Sequence, residues 1–174
     1  QTGVGASGKM WAHEHWNLST PPDMVTFSKK FQAAGFYFSN PDLQPKLPYR
    51  QFNTWCGDPS KAILAKAIYQ EIVKSNLVER TAEVGDHLLE KLLSILSRFP
   101  DKVFNLRGKN YGTFIAWDCS STDLRNKILA ASREQGLNMG GCGDQSIRLR
   151  PTLLFEKEHA DIFLGILESV LNKL

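Results

Sequence analysis

Cysteine is scarce. Cys56, Cys119 and Cys142 are the only three in 174 residues, an odd number set far apart, which argues against a disulfide-built scaffold and for a reducing compartment. No apolar run approaches the roughly 20 residues of a membrane-spanning helix, so nothing points to a membrane. No run of basic residues and no basic-aromatic stripe occurs, and a net charge of only +3 leaves no electrostatic footprint for nucleic acid. Internal repeats and low-complexity tracts are missing. So is an initial Met or any leader peptide. The opening Gln1-Thr2-Gly3 reads like the interior of a longer sequence, which makes the missing leader uninformative about location. What is there is ordinary globular material, 42% hydrophobic and 22% charged, long enough for one medium domain or parts of two.

Residues 1–57 are rich in Gly, Pro and aromatics and read as loop-heavy. Trp11 to Trp16 suggests a helical turn, Met24 to Phe27 a short buried strand, and three prolines over 39–50 an extended loop. The character changes at Asp58-Pro59, an N-cap followed by proline at the first helical position. Helices are predicted over 59–75 and 77–99, the second with Val84, Leu88, Leu92, Ile95, Leu96 and Phe99 at helical spacing before Pro100. Strands are predicted at 103–106 and 113–117, a helix at 122–135 ended by Gly136, and strands at 137–139 and 146–150. A last amphipathic helix covers 157–173, with Ile162, Phe163, Ile166, Leu167, Val170 and Leu171 on one face. From about residue 76 this order predicts an α+β layer, with a boundary between two domains near residues 60–76.

Several motifs carry chemistry. Gly3-Val4-Gly5-Ala6-Ser7-Gly8 fits G-x-G-x-x-G, but the aromatic residues after it lack the small helix face of a dinucleotide fingerprint. A flexible loop beside an anionic group suits it better. His13-Glu14-His15 lacks a third metal ligand and reads as a loop. Lys29 and Lys30 follow the apolar run Met24-Val25-Thr26-Phe27 and precede Ala33-Ala34-Gly35, small residues that let something bulky approach the backbone. Solvated, they are two surface lysines; desolvated, one is a neutral amine able to attack a carbonyl. Asn53 to Pro59 offers a hydroxyl and N–H groups ahead of a helix, either a phosphate site or a plain N-cap turn. Arg148 and Arg150 alternate with Ile147 and Leu149, so they share one strand face and suit a carboxylate.

The order of these signals is distinctive. Gln1-Thr2-Gly3-Val4-Gly5-x-x-Gly8, Pro22-Asp23-x-x-Thr26-Phe27-Ser28-Lys29, Asn53-Thr54-x-x-Gly57-Asp58-Pro59 and Arg148-Leu149-Arg150-Pro151-Thr152-Leu153 together resemble the C-terminal part of the class III, fold-type I aminotransferases. Phe27 to Lys30, Tyr49 to Trp55 and Gly140 to Asp144 resemble the branch acting on 4-aminobutyrate. The resemblance implies an α/β fold of pyridoxal-phosphate-dependent transferases, with residues 1–60 ending the large domain and 61–174 forming bridging helices and a small α+β domain. It implies pyridoxal 5'-phosphate as cofactor, bound as a Schiff base to Lys29, with Lys30 only a neighbour. Gln1 would sit near the cofactor ring, and Thr54 would bind the cofactor phosphate of the neighbouring subunit in a homodimer. Arg148 would take the α-carboxylate of glutamate or 2-oxoglutarate, with Arg150 in support. The glycine stretch becomes an active-site loop. The family's acid for the pyridine nitrogen would lie upstream of Gln1, so the 174 residues alone are expected to be inactive. Family members are mitochondrial in animals and cytosolic in fungi, so the matrix or the cytoplasm is expected.

Overall fold

The computed structural model describes residues 2–174. Gln1 therefore lies outside the described residues. After a 3-10 turn at Ala12–His15, the strands β1 (Met24–Phe27) and β2 (Gly35–Phe38) pair antiparallel, with a second 3-10 turn, Lys29–Phe31, between them. Helices α1 (Pro59–Lys74) and α2 (Leu77–Leu96) follow. The rest alternates as β3 (Val103–Arg107), β4 (Ala116–Cys119), α3 (Thr122–Glu134), β5 (Gly140–Cys142), β6 (Ser146–Arg148) and α4 (Lys157–Lys173). The four later strands form one antiparallel sheet in the order β3-β4-β6-β5, as the α+β reading of this part required.

Two apolar clusters hold the chain. The larger joins α2, α3, α4 and the four-stranded sheet around Leu88, Trp117, Ile128, Ile147 and Leu167, all fully buried. The smaller joins Val4, Phe31, Ile72 and Leu77, with Trp11 and Phe27 against it. Trp11 stands in an aromatic group, its ring 5.2 Å from Tyr37 and 6.0 Å from Phe31.

Several sequence expectations shift. β1 is not a buried strand, for its residues alternate between exposed and half-buried. It pairs with a strand that the sequence reading left out, β2. The small residue opening β2 makes room for the protein itself: a Cβ on Gly35 would lie 2.8 Å from the Phe27 ring. Strand β4 begins at Ala116 rather than Thr113, because 108–115 form a loop pressed against α2. Gly85 of α2 meets the Gly112 backbone so closely that a Cβ there would lie 2.2 Å from it. Leu137 is not in a strand; its N–H bonds back to the Ser132 carbonyl at the end of α3, and pairing starts only where Gly140 reaches Arg148. α4 buries Ala160, Phe163, Leu164, Leu167, Val170 and Leu171, while Ile162 stays 63% exposed. The apolar stripe is thus centred on Phe163 and Leu167, and Ile162 falls outside it.

Candidate active site

The glycine stretch is no loose loop. Val4 and Ser7 are buried, and Gly5 and Gly8 hold φ of +82° and +75°. Gly8 lies on Ala82 of α2, and a Cβ on Gly112 would meet the Gly8 amide nitrogen at 2.7 Å. His15 fixes it from the side, its Nε2 3.0 Å from both the carbonyl and the hydroxyl of Ser7, and its ring lies tilted against Tyr111, 4.6 Å between centroids. Glu14 Oε1 accepts from the Trp11 amide at 2.6 Å. The His-Glu-His segment thus serves the fold around this loop.

One face of the loop lines a cleft of about 250 Å³. Thr2, Gly3 and Ala6 form one wall, the 29–30 turn another, and Thr113, Phe114 and the end of β6 through Pro151 the third. Four cations border it: Lys29, Lys30, Arg148 and Arg150. No carboxylate lies among the described lining residues. Such a cleft favours an anionic occupant.

The two lysines differ sharply. Lys29 holds φ of +59°, a left-handed conformation that costs a residue with a side chain on the order of 1 kcal/mol or more and that gathers at functional sites. Its side chain is exposed, not buried as a desolvated nucleophile would be. Its Nζ has no hydrogen-bond or ion-pair partner among the described residues. Lys30 Nζ donates to the Pro151 carbonyl at 2.9 Å, and burial lowers its pKa from the ordinary lysine value. Desolvation therefore falls on the neighbour, whose nitrogen is engaged, while the Lys29 amine is free at the cleft.

Arg148 is held by the sheet's centre. Its backbone pairs with Ala116 of β4 and Gly140 of β5, and its half-buried side chain leaves Nε buried without a partner. Arg150 is exposed beyond the strand end. Ser28 Oγ, beside Lys29, is a second buried polar atom without a partner among the described residues. Ser28 lines the wider groove and Arg148 the cleft, and Lys29 borders both; buried donors left unsatisfied mark places where further atoms belong.

Thr54 lies elsewhere. It is exposed on the turn from Asn53 to Gly57 and lines neither this cleft nor the wider groove of about 990 Å³ beside it, which Lys29, Asn53 and Trp55 share. The turn is an ordinary capping arrangement: Asn53 Oδ1 accepts from the Trp55 amide at 3.0 Å, and Asp58 Oδ1 from the Ser60 amide at 2.9 Å. Hydrogen bonds from Ser60 hold the Asp58 carboxyl below its usual value. That carboxylate caps the start of α1.

Cys119 is buried, which pushes its thiol up to about 11, and it stays protonated at neutral pH. Sequence reasoning missed Thr113, Phe114 and the Lys30–Pro151 link. Thr113 gave a faint signal, as a polar residue inside an apolar stretch; the link spans 121 positions and gave none.

The sequence matches the family described as Aminotransferase class-III over residues 1–171. The 4-aminobutyrate aminotransferase of Emericella nidulans is 55% identical over 174 residues, all of this chain and 34% of that protein. The Saccharomyces cerevisiae enzyme of that name is 50% identical over the same span, 37% of its length. The mitochondrial one of Sus scrofa is 45% identical over 98% of this chain and 34% of its own. Among solved structures, a lysine aminotransferase from M. tuberculosis superposes with a TM-score of 0.89 at 26% identity, covering 99% of this chain and 40% of that one. An ornithine aminotransferase from Plasmodium yoelii gives 0.87 at 25%, covering 99% and 46%.

The chain belongs to the class III aminotransferases, pyridoxal-phosphate-dependent enzymes of fold type I. It spans about a third of the length of the curated relatives it matches, 34% for the Emericella nidulans protein.

Proposed function

We propose that the complete protein transfers the amino group of 4-aminobutyrate to 2-oxoglutarate, giving succinate semialdehyde and glutamate, with pyridoxal 5'-phosphate attached at Lys29. The observation that carries this reading is one cleft lined both by Lys29, whose amine has no partner among the described residues, and by Arg148, whose Nε is buried and unsatisfied, with no carboxylate among the described lining residues. The residues present fit one side of such a cofactor. The free amine suits its aldehyde, and the cationic lining suits its phosphate or a substrate carboxylate. At about 250 Å³ the cleft is smaller than a typical ligand pocket, in keeping with one wall of a larger site. The identity to proteins named for 4-aminobutyrate supports the substrate.

Bound there, pyridoxal phosphate supplies an electron sink for the charge left when a substrate carbon loses its proton. The chain's own residues do the rest. Lys29 Nζ, when neutral, accepts the proton from the amine-bearing carbon. Arg148 binds the α-carboxylate of glutamate or 2-oxoglutarate through its fork of N–H donors, and Arg150 adds positive charge at the same rim. The packed loop from Gly3 to Gly8 closes the side opposite β6 and limits entry of water. Gln1, outside the described residues, we assign to the neighbourhood of the cofactor ring.

The reading extends to assembly. Thr54 presents its hydroxyl to the cofactor phosphate of a neighbouring subunit in a homodimer, and the exposed rings of Tyr49, Phe52 and Trp55 around it support a partner surface there. Residues 1–60 close a large domain, and 61–174 form the bridging helices and small domain. No described helix is long and apolar enough to cross a membrane, and we place the enzyme in the mitochondrial matrix or cytoplasm.

The test is a pair of half-reactions on the full-length holoenzyme. Arg148→Ala should weaken the 2-oxoglutarate half-reaction and spare that of 4-aminobutyrate. Equal loss in both, or ornithine outcompeting 4-aminobutyrate as donor for the wild type, would overturn the assignment.

A further inference from the structure

Lys30 lines the same cleft as Lys29, yet its nitrogen is committed to Pro151, three residues beyond Arg148. We infer that Lys30 is a positioning residue: a strut that sets the spacing between Lys29 and Arg148 and so the enzyme's grip on the α-carboxylate of the 2-oxo acid. The inference rests on the function proposed above and assigns a residue that reading leaves as a bystander.

The strut joins two pieces seated in different cores. At one end, the 29–31 turn is anchored by Phe31, buried with Val4, Ile72 and Leu77 in the smaller cluster. At the other, Ile147 and Leu149 anchor the strand end in the larger cluster, and the Leu149 amide bonds to the Ile115 carbonyl at 2.9 Å. Lys29 rides on the first piece and Arg148 on the second. Lys30 Nζ bridges them at the cleft itself. The acceptor is well chosen: proline restricts the backbone on which the carbonyl sits, and a charged donor makes a stronger bond to it than a neutral one.

A surface lysine would keep its ammonium in water. This one is drawn in far enough for burial to disfavour its charge, and its partner is a neutral carbonyl, with no carboxylate in the lining to compensate. An arrangement that works against solvation is held by the geometry it provides. It also separates the adjacent lysines by role: one nitrogen is tied and the other has no partner among the described residues, so the cleft offers a single lysine amine for attachment.

Spacing between Lys29 and Arg148 matters only to a substrate read by both. In the full-length holoenzyme, Lys30→Met keeps most of the stem and removes the donor. It should raise the KM for 2-oxoglutarate about tenfold, the scale of a sub-ångström misplacement, while the KM for 4-aminobutyrate holds within about twofold. Borohydride should still fix the cofactor on Lys29. Lys30→Arg, which can still donate to the carbonyl, should restore most of the loss, and Lys30→Gln, too short to reach it, should behave like Lys30→Met. An unchanged KM for 2-oxoglutarate with cofactor still fixed on Lys29 would overturn the strut alone. Equal loss in both half-reactions, unrescued by arginine, would reduce Lys30 to a fold-stabilising contact and overturn it too. Cofactor fixed on Lys30 in the wild type would overturn the strut and the function together.

Discussion

Residues 77–174 and residues 39–73 have similar proportions of apolar residues and use them in opposite ways. The later region closes on itself: Leu88, Leu92, Trp117, Ile128, Ile147 and Leu167 are fully buried between three helices and a four-stranded sheet. The earlier one leaves Tyr49 84%, Phe52 80%, Trp55 72% and Ile63 70% exposed. A soluble chain rarely leaves so continuous a stretch to water. Buried apolar packing is concentrated in the self-contained region, while Lys29, whose amine we propose carries the chemistry, sits outside it, on a short turn with a strained φ. The cleft lies between residues 2–30 and the later region, with Arg148 supplied by the region that can hold an arginine rigidly.

That contrast can be tested by changes on either side. Lys29→Ala in the full-length enzyme should lower turnover by about 10³-fold or more, since it removes both nucleophile and proton carrier, with an unaltered melting curve. Near-normal turnover would remove Lys29 from the chemistry. Trp117→Ala should destabilise by about 3–5 kcal/mol in denaturant titration, and Trp55→Ala, on the open side, by less than about 0.5 kcal/mol in the separated subunit. Similar losses at both would dissolve the distinction between the regions. Arg148→Ala should cost the 2-oxoglutarate half-reaction about 1.5–3 kcal/mol, the worth of hydrogen bonds to a charged group. Gly85→Ala forces a methyl into the Gly112 backbone and should cost about 1–3 kcal/mol, read as a lower melting temperature.

The smallest change concerns pH. Burial pushes the Asp118 carboxyl up, but hydrogen bonds from Ser146, Asn105 and Arg107 together with the Arg107 charge hold it below its usual value. A carboxyl with a lower pKa folded than unfolded stabilises in full above the unfolded value of about 4 and loses that contribution as pH falls through the folded one. Asp118→Asn should therefore lower stability at pH 7 and converge with wild type as pH falls well below 4. A difference that stays constant with pH would deny the network a charged member.

Much of this was legible in the residues. Helical periodicity placed α2 and α4, Gly136 marked the end of α3, Asp58-Pro59 marked the start of α1, and only the pairing of β3 with β4 was foreseen among the hairpins. Motif order, more than any single motif, pointed to Lys29 and Arg148, which the fold does bring to one cleft. What could not be read depended on contacts far apart in the chain. Gly35 is small because Phe27 lies over it, Gly85 because the loop at Gly112 crosses it, and β4 starts late for that reason. Ile162 carries an apolar side chain on the solvent side of α4, so periodicity alone misjudged the stripe. Which of two adjacent lysines is tied down was also hidden, since Pro151 is the acceptor that decides it.

The central claim is that Lys29, and not Lys30, carries the reactive amine. Borohydride reduction of the full-length enzyme loaded with pyridoxal phosphate, followed by peptide mapping, tests it most directly. A pyridoxyl group on Lys29 with Lys30 unmodified is the expected result; a pyridoxyl group on Lys30, or on neither, would contradict it.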